Sequence, residues 1–171
     1  MDDDGLGAFC RTEWPRLVGV ISLYLGDRDQ AEDVAQETLV RVCLHWRRVR
    51  QADSPSAWAH RVAFNLAKSM LRRRATWRRI RVLAVERDRS TEEPDAVVVA
   101  IRDELQRLPV AQREALVLRY YADLSVRDVA QLMGCPENTV KTHTRRALEA
   151  LRGRGLLDED TIPDPITEDV G

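Results

Sequence analysis

Side chains that can bind both phosphates and base edges recur near the end of a 27-residue stretch, Ser125 to Leu151. Lys and Arg neutralise phosphates, while Asn, Thr and Arg also hydrogen-bond to the edges of bases. The candidates for such contacts are Asn138, Thr139, Lys141, Thr142, His143, Arg145 and Arg146. This set indicates nucleic-acid binding.

Two short helices joined by a tight turn would present these side chains. Ser125 is a good N-cap residue for the first helix, Gly134 can end it in a left-handed conformation, and Pro136 fits the first turn of the second. The apolar faces are predicted at Val126, Val129, Ala130 and Met133, and at Val140, Ala147, Leu148 and Leu151. The pattern favours a helix-turn-helix whose second helix lies in the DNA major groove, over an ordinary helical hairpin with a solvated charged face.

A second basic segment runs from Ser56 to about Arg81, after a turn-rich linker at Gln51 to Ser56. It reads as an amphipathic helix with Trp58, Val62, Leu66 and Met70 on its apolar face. Its candidate nucleic-acid contacts are Trp58, Arg61, Asn65, Lys68, Arg72, Arg73 and Arg74. Guanidinium groups interleaved with aromatic rings suit single strands. Two other interpretations are open: Trp58 and Phe64 in a core, or a helix lying on an anionic membrane.

An acidic row marks a third candidate surface, on a helix predicted from Asp29 to Val49. Its apolar stripe is Ala31, Val34, Ala35, Thr38, Leu39, Val42 and Trp46, and the side chains pointing away are Asp29, Glu32, Asp33, Gln36, Glu37 and Arg41. A solvated face is the plain alternative for such a row. A helix from Phe9 to Leu25 precedes it, broken at Gly26, and residues 1–8 read as a frayed lead. Its apolar face is predicted at Phe9, Trp14, Leu17, Val18, Ile21 and Leu25.

Charge is strongly segregated, although the net charge is −1. Residues 41–90 hold 14 Lys and Arg against 3 Asp and Glu, and residues 113–155 hold 8 against 5. Basic blocks separated by acidic ones suggest two nucleic-acid surfaces and at least one other partner.

Cysteine and histidine usage argues against a metal site or catalysis. Cys10, Cys43 and Cys135 lie far apart in the sequence, so reduced thiols are expected. The three histidines, His45, His60 and His143, have no ligand-spaced partner or Gly-rich phosphate loop nearby. We therefore expect no enzyme activity, no metal and no cofactor. Without a signal peptide or an apolar run long enough to span a membrane, a cytoplasmic protein is expected.

The whole pattern predicts an all-α protein of two small helical domains joined by a flexible linker, the second containing the helix-turn-helix. The first domain is predicted at residues 9–82, the linker at 83–95, the second domain at 96–155, and an acidic tail at 156–171. Further helices are predicted over Val97 to Leu108 and over Arg113 to Ala122.

Three stretches together resemble the hallmark regions of bacterial RNA polymerase sigma factors of the sigma-70 family. They are DQAEDVAQETLVRV (29–42), AWAHRVAFNLAKSMLRRR (57–74) and LPVAQREALVLRYYADLSVRDVAQLMGCPENTVKTHTRRALEALR (108–152). The two-domain layout is similar to that of the extracytoplasmic-function (ECF) group. The resemblance implies a factor that binds core polymerase and directs promoter recognition, melting and initiation.

The same resemblance implies a role for each surface. The acidic row would bind the clamp helices of the polymerase β′ subunit, the 57–74 helix would hold the melted downstream element, and the last helix would read the upstream element. The second domain would contact the β flap. Family members are often sequestered by an anti-sigma factor, a further candidate partner, and we expect a monomer outside the holoenzyme. The alternative is a LuxR-type regulator that binds duplex DNA without recruiting polymerase.

Two positions of the last helix depart from the family pattern. His143 stands where the family commonly has Arg, and Thr144 where it commonly has a large apolar residue. The base preference of relatives therefore does not carry over.

Overall fold

The computed structural model describes the backbone of residues 3–80 and 96–155, and the side chains of 5–76 and 99–155. These residues form helices and no strand, in two compact units that divide between residues 94 and 95. The prediction of an all-α chain with two helical units is confirmed. The predicted linker 83–95, the acidic tail 156–171 and the side chains of Arg78, Arg79 and Arg81 lie outside the described residues.

The first unit contains helices α1 (Asp3–Leu25), α2 (Arg28–Leu44), α3 (Trp46–Val49) and α4 (Pro55–Ile80). Helix α1 packs on α2, and both contact α4. As predicted, the helix is broken at Gly26: α1 ends at Leu25, and Gly26 has a positive φ of 75°. Asp27 then caps α2 by accepting a hydrogen bond from the Gln30 amide at 3.0 Å.

Two boundaries in this unit were predicted wrongly. Helix α1 begins at Asp3, so the expected frayed lead is largely helical. Leu6 and Phe9 pack against the buried cluster of Val42, Val49 and Ala59, which anchors this end. The helix predicted from Asp29 to Val49 is interrupted at His45, which lies outside the α-helical region with φ −115° and ψ 17°.

The buried face of α4 also differs from the prediction. Its buried residues are Ala59, His60, Ala63, Phe64 and Ala67, whereas Trp58, Val62, Leu66 and Met70 are only half-buried. Alanines on this face let α4 approach its neighbours closely, and the Phe64 ring lies 5.0 Å from that of Tyr24 on α1. On α1 itself, Trp14 was expected in the core but is 38% exposed.

The second unit contains α5 (Ala96–Gln106), α6 (Val110–Tyr120), α7 (Val126–Met133) and α8 (Glu137–Arg152). Helix α8 packs on both α6 and α7. The buried Arg113 joins α5 to α6. Its Nη1 on α6 donates to the carbonyl oxygens of Leu105 at 3.4 Å and Gln106 at 3.2 Å, at the end of α5.

Two of the three local signals predicted for the helix-turn-helix are confirmed. Ser125 Oγ accepts from the Asp128 amide at 3.0 Å, and Gly134 ends α7 with a φ of 66°. Three details differ: Pro136 occupies the N-cap position rather than the first turn, and Leu132 is buried where Met133 was expected. Thr144 joins the buried face of α8 because its hydroxyl donates to the Val140 carbonyl at 2.9 Å.

Candidate functional site

The acidic row lies along the solvent face of α2. Its side chains at Asp29, Asp33, Gln36, Glu37 and Arg41 are exposed, and Glu32 is half-buried. Ion pairs one helical turn apart join Arg28 to Glu32 at 3.0 Å and Arg41 to Glu37 at 2.9 Å. Exposed pairs of this kind contribute little to folding, so the row is available to a partner at small cost in stability.

Two apolar side chains that were not predicted from the sequence extend the exposed surface of α2. Val40 is 47% exposed and Leu44 is 74% exposed. They lie four residues apart, on one face of the helix, and both fall outside the buried stripe. Two apolar residues at this spacing outside the stripe were the one sequence signal that could have identified them. Acidic and apolar groups thus occupy one helix surface together.

The basic face of α4 exposes Arg61, Asn65, Arg72 and Arg73. Arg74 is half-buried, and its Nη2 lies 3.4 Å from Asp27 Oδ2, so this guanidinium is partly occupied within the protein. Trp58 packs against the Val42 cluster, with its ring centroid 6.4 Å from that of His45 in an edge-to-face arrangement. Trp58 is therefore both a core-edge residue and a partly accessible ring, and Lys68 is likewise half-buried.

A polar cluster beneath α4 was not anticipated from the sequence. Glu13 on α1 and His60 on α4 are both buried, and Ser56 Oγ donates to Glu13 Oε2 at 3.1 Å. His60 Nδ1 donates to the Ser56 carbonyl at 2.9 Å and lies 4.0 Å from Glu13 Oε2. The cluster fixes the N-terminal turn of α4 against α1.

On α8 the exposed candidates are Asn138, Arg145 and Arg146, while Thr139, Lys141, Thr142 and His143 are half-buried. Thr142 Oγ1 donates to the Asn138 carbonyl at 2.8 Å, so the hydroxyl keeps only its acceptor capacity for a ligand. Arg145 Nη1 lies 2.8 Å from Glu149 Oε1. His143 Nδ1 is buried and has no hydrogen-bond partner among the residues that the structure describes.

Within residues 5–76 and 99–155, whose side chains are described, no group of three or more His, Cys, Asp or Glu could hold a metal ion. In the same part of the chain, no helix is long and apolar enough to cross a membrane.

Comparison with known proteins accounts for both units. The model of sigma-70 region 2 matches residues 11–78, and that of sigma-70 region 4 matches residues 99–151. The chain belongs to the sigma-70 family. The region 2 match spans α2 and α4, for which a LuxR-type regulator would have no use, so a sigma factor that directs polymerase in initiation is favoured over that alternative.

Its relatives include factors of the ECF group. The chain is 30% identical over 153 residues to the RNA polymerase sigma-H factor of Pseudomonas aeruginosa, covering 80% of this chain and 78% of the relative. It is 35% identical over 135 residues to the ECF RNA polymerase sigma factor SigL of Mycobacterium tuberculosis, covering 74% and 75%. This sigma factor is thus of the ECF type, and its family is not a family of enzymes.

A solved structure shares the fold. It is the sigma factor RpoE in complex with the anti-sigma factor NepR from Bartonella quintana, with a TM-score of 0.75 and 21% identity over 93% of this chain and 100% of that one. The acidic row and the α4 candidates lie within the region 2 match, and the α8 candidates lie within the region 4 match.

Proposed function

We propose that the three surfaces divide the work of initiation. The acidic row of α2 binds the β′ clamp helices of core RNA polymerase, the basic face of α4 holds one strand of the melted downstream element, and α8 reads the upstream element as duplex. The second unit rests on the β flap. The protein acts by binding alone, in the cytoplasm where polymerase and promoter meet, and an anti-sigma factor is a further candidate partner.

The observation that carries this proposal is the exposure of the acidic row. Asp33, Gln36 and Glu37 lie on the side of α2 opposite the buried Ala31, Val34, Ala35, Thr38 and Val42. They leave the packing of the unit intact and present negative charge beside the apolar Val40 and Leu44. An apolar patch rimmed by charge is typical of a surface that binds another protein.

Support for the α4 role comes from its residue types. Asn65, Arg72 and Arg73 are exposed on one long helix, with the half-buried Trp58 near its start. A positively charged face with an accessible ring suits a single strand, whose phosphates and bases are both open. Binding energy spent on that strand would favour the open promoter over the closed one.

Support for the α8 role comes from its two faces. Val140, Ala147, Leu148 and Leu151 are buried, and the exposed positions carry Asn138, Arg145 and Arg146. The helix is thus fixed by one face and offers amide and guanidinium donors on the other. Such donors read base edges and phosphates in the major groove.

Run-off transcription with purified core polymerase tests the proposal. The protein should support initiation from its own promoters, whereas Asp33→Lys should weaken co-purification with core at least tenfold and reduce the transcript in proportion. Asp103→Lys is the matched control, because Asp103 is also an exposed acid and the charge changes equally. Core binding by Asp33→Lys as strong as that of the control would refute the role of the row. Failure of the unaltered protein to initiate would refute the function itself.

A further inference from the structure

Two cysteines that are far apart in the sequence meet in the first unit. Cys10 lies on α1 and Cys43 on α2, and the two thiols are near enough to interact. The residues that precede them show the same approach: Phe9 on α1 packs against the buried cluster that contains Val42 of α2, and its ring centroid lies 5.4 Å from that of Trp46 on α3. Helices α1 and α2 pack on each other, so the fold of this unit brings the two cysteines together.

The two thiols differ in their access to solvent. Cys43 is exposed and lines an open surface groove together with Leu44, His45, Trp46, Arg47 and Arg48, whereas Cys10 is half-buried. Burial raises the pKa of the Cys10 thiol above its ordinary value of 9.0, and Cys43 raises it further, against a lowering by Arg11. Cys43 is thus the thiol that a small oxidant reaches first, and Cys10 is placed to act as the resolving cysteine.

We propose that Cys10 and Cys43 form a reversible disulfide when the protein meets a peroxide. The Cys43 thiolate attacks hydrogen peroxide, the O–O bond breaks, and a sulfenic acid and a hydroxide ion result. The hydroxide takes up the proton that the Cys43 thiol had released and becomes one water. The Cys10 sulfur then attacks the sulfenic sulfur, the S–O bond breaks, and a second water leaves with the Cys10 proton. Two thiols lose two electrons and two protons in total, and the peroxide is reduced to two waters. A thiol reductant reverses the step.

The disulfide would connect α1 to the last turn of α2, immediately before the break at His45. A link between α1 and α2 restricts the unfolded chain far more than the folded one, where the two helices are already packed together. We therefore expect oxidation to preserve the helical content and to raise the thermal midpoint of the first unit by several degrees. The groove next to Cys43 would be held in its present shape.

Peptide mass mapping of the full-length protein tests the proposal. After treatment with hydrogen peroxide and alkylation, Cys10 and Cys43 should appear as one linked peptide that dithiothreitol separates, in a protein that stays monomeric on a non-reducing gel. Cys135→Ser is the matched control and should behave as the unaltered chain. In Cys10→Ser the sulfenic acid has no partner, so dimedone should label Cys43.

Three results would overturn the inference. The first is full alkylation of both cysteines after peroxide treatment, and the second is linkage of either one to Cys135 or to another molecule. The third is dimedone labelling of Cys10 in Cys43→Ser that exceeds labelling of Cys43 in Cys10→Ser, because the order of attack would then be wrong. The labelling of each thiol is measured separately. Circular dichroism identifies a serine variant that unfolds, and the alanine variant at the same position then takes its place.

Discussion

The carboxylate of Asp27 joins the start of α2 to Arg74, near the far end of α4. Its Oδ1 accepts from the Gln30 amide at 3.0 Å, and its Oδ2 accepts from Gln30 Nε2 at 2.6 Å and from Arg74 Nη2 at 3.4 Å. One side chain therefore caps a helix and holds a guanidinium that the sequence assigned to DNA.

Asp27→Ala should destabilise the first unit more than Arg74→Ala does. Loss of the cap costs about 1 kcal/mol of unfolding free energy, whereas loss of a partly exposed ion pair costs roughly 0–1 kcal/mol. Urea denaturation of the full chain measures both, with Arg73→Ala as the control for removal of a neighbouring arginine. Equal losses in Asp27→Ala and Arg74→Ala would show that the ion pair matters more than the cap.

Ser125→Ala should lower the stability of the helix-turn-helix by about 1 kcal/mol, because the Asp128 amide loses its acceptor. Ser125→Asn keeps a side-chain acceptor at the cap and should retain most of that stability. The thermal midpoints of the two variants, followed by circular dichroism, separate the cap from a general effect of substitution. An asparagine variant as unstable as the alanine variant would argue against capping.

Arg145→Ala and Asn65→Ala should fail at different stages of initiation. The first should weaken closed complexes on duplex promoter DNA and lower the salt slope by about 1 if Arg145 contacts a phosphate. The second should leave closed complexes intact and reduce the permanganate reactivity of the melted strand. Arg11→Ala, an exposed arginine outside both surfaces, should do neither. Equal loss of closed complexes in both variants would contradict the division of labour.

Alkaline pH should destabilise the second unit partly through Tyr121. Partial burial of this side chain, which is 48% exposed, raises the pKa of its hydroxyl above the ordinary value of 10.0, so the folded protein holds this proton slightly more tightly than the unfolded chain does. The resulting stability is complete below pH 10 and is lost as the pH rises through the folded pKa. Tyr121→Phe should therefore lose less stability above pH 10 than the unaltered chain, as measured by urea denaturation at several pH values. If the unfolding free energies of the two proteins fell in parallel as the pH rose, Tyr121 would be excluded as a source of the alkaline destabilisation.

Features specified by local chemistry were predictable from the sequence. Ser125 and Gly134 act through their own backbone and nearest neighbours, so the helix-turn-helix could be placed almost to the residue. The exposed row of α2 followed in the same way from the spacing of Ala31, Val34 and Val42, because a regular apolar stripe fixes the opposite face.

Features that depend on which helices pack together were not predictable. The small Ala59 and Ala63 were passed over for the larger Trp58 and Val62, since alanine becomes a core residue only where a neighbouring helix approaches closely. The helix break at His45 could not be predicted because no glycine or proline lies next to it in the sequence. Glu13 and His60, or Cys10 and Cys43, meet only through tertiary structure.

The hydrogen bonds from Arg113 to the end of α5 have a consequence for local unfolding. If α5 came away from α6, Arg113, a residue that is 5% exposed in the folded unit, would lose the carbonyl partners of its guanidinium while much of its surroundings stayed apolar. The two helices should therefore open together. In native-state hydrogen exchange, the slowest-exchanging amides of α5 should show the same protection as those of α6, although α5 is the first helix of its unit.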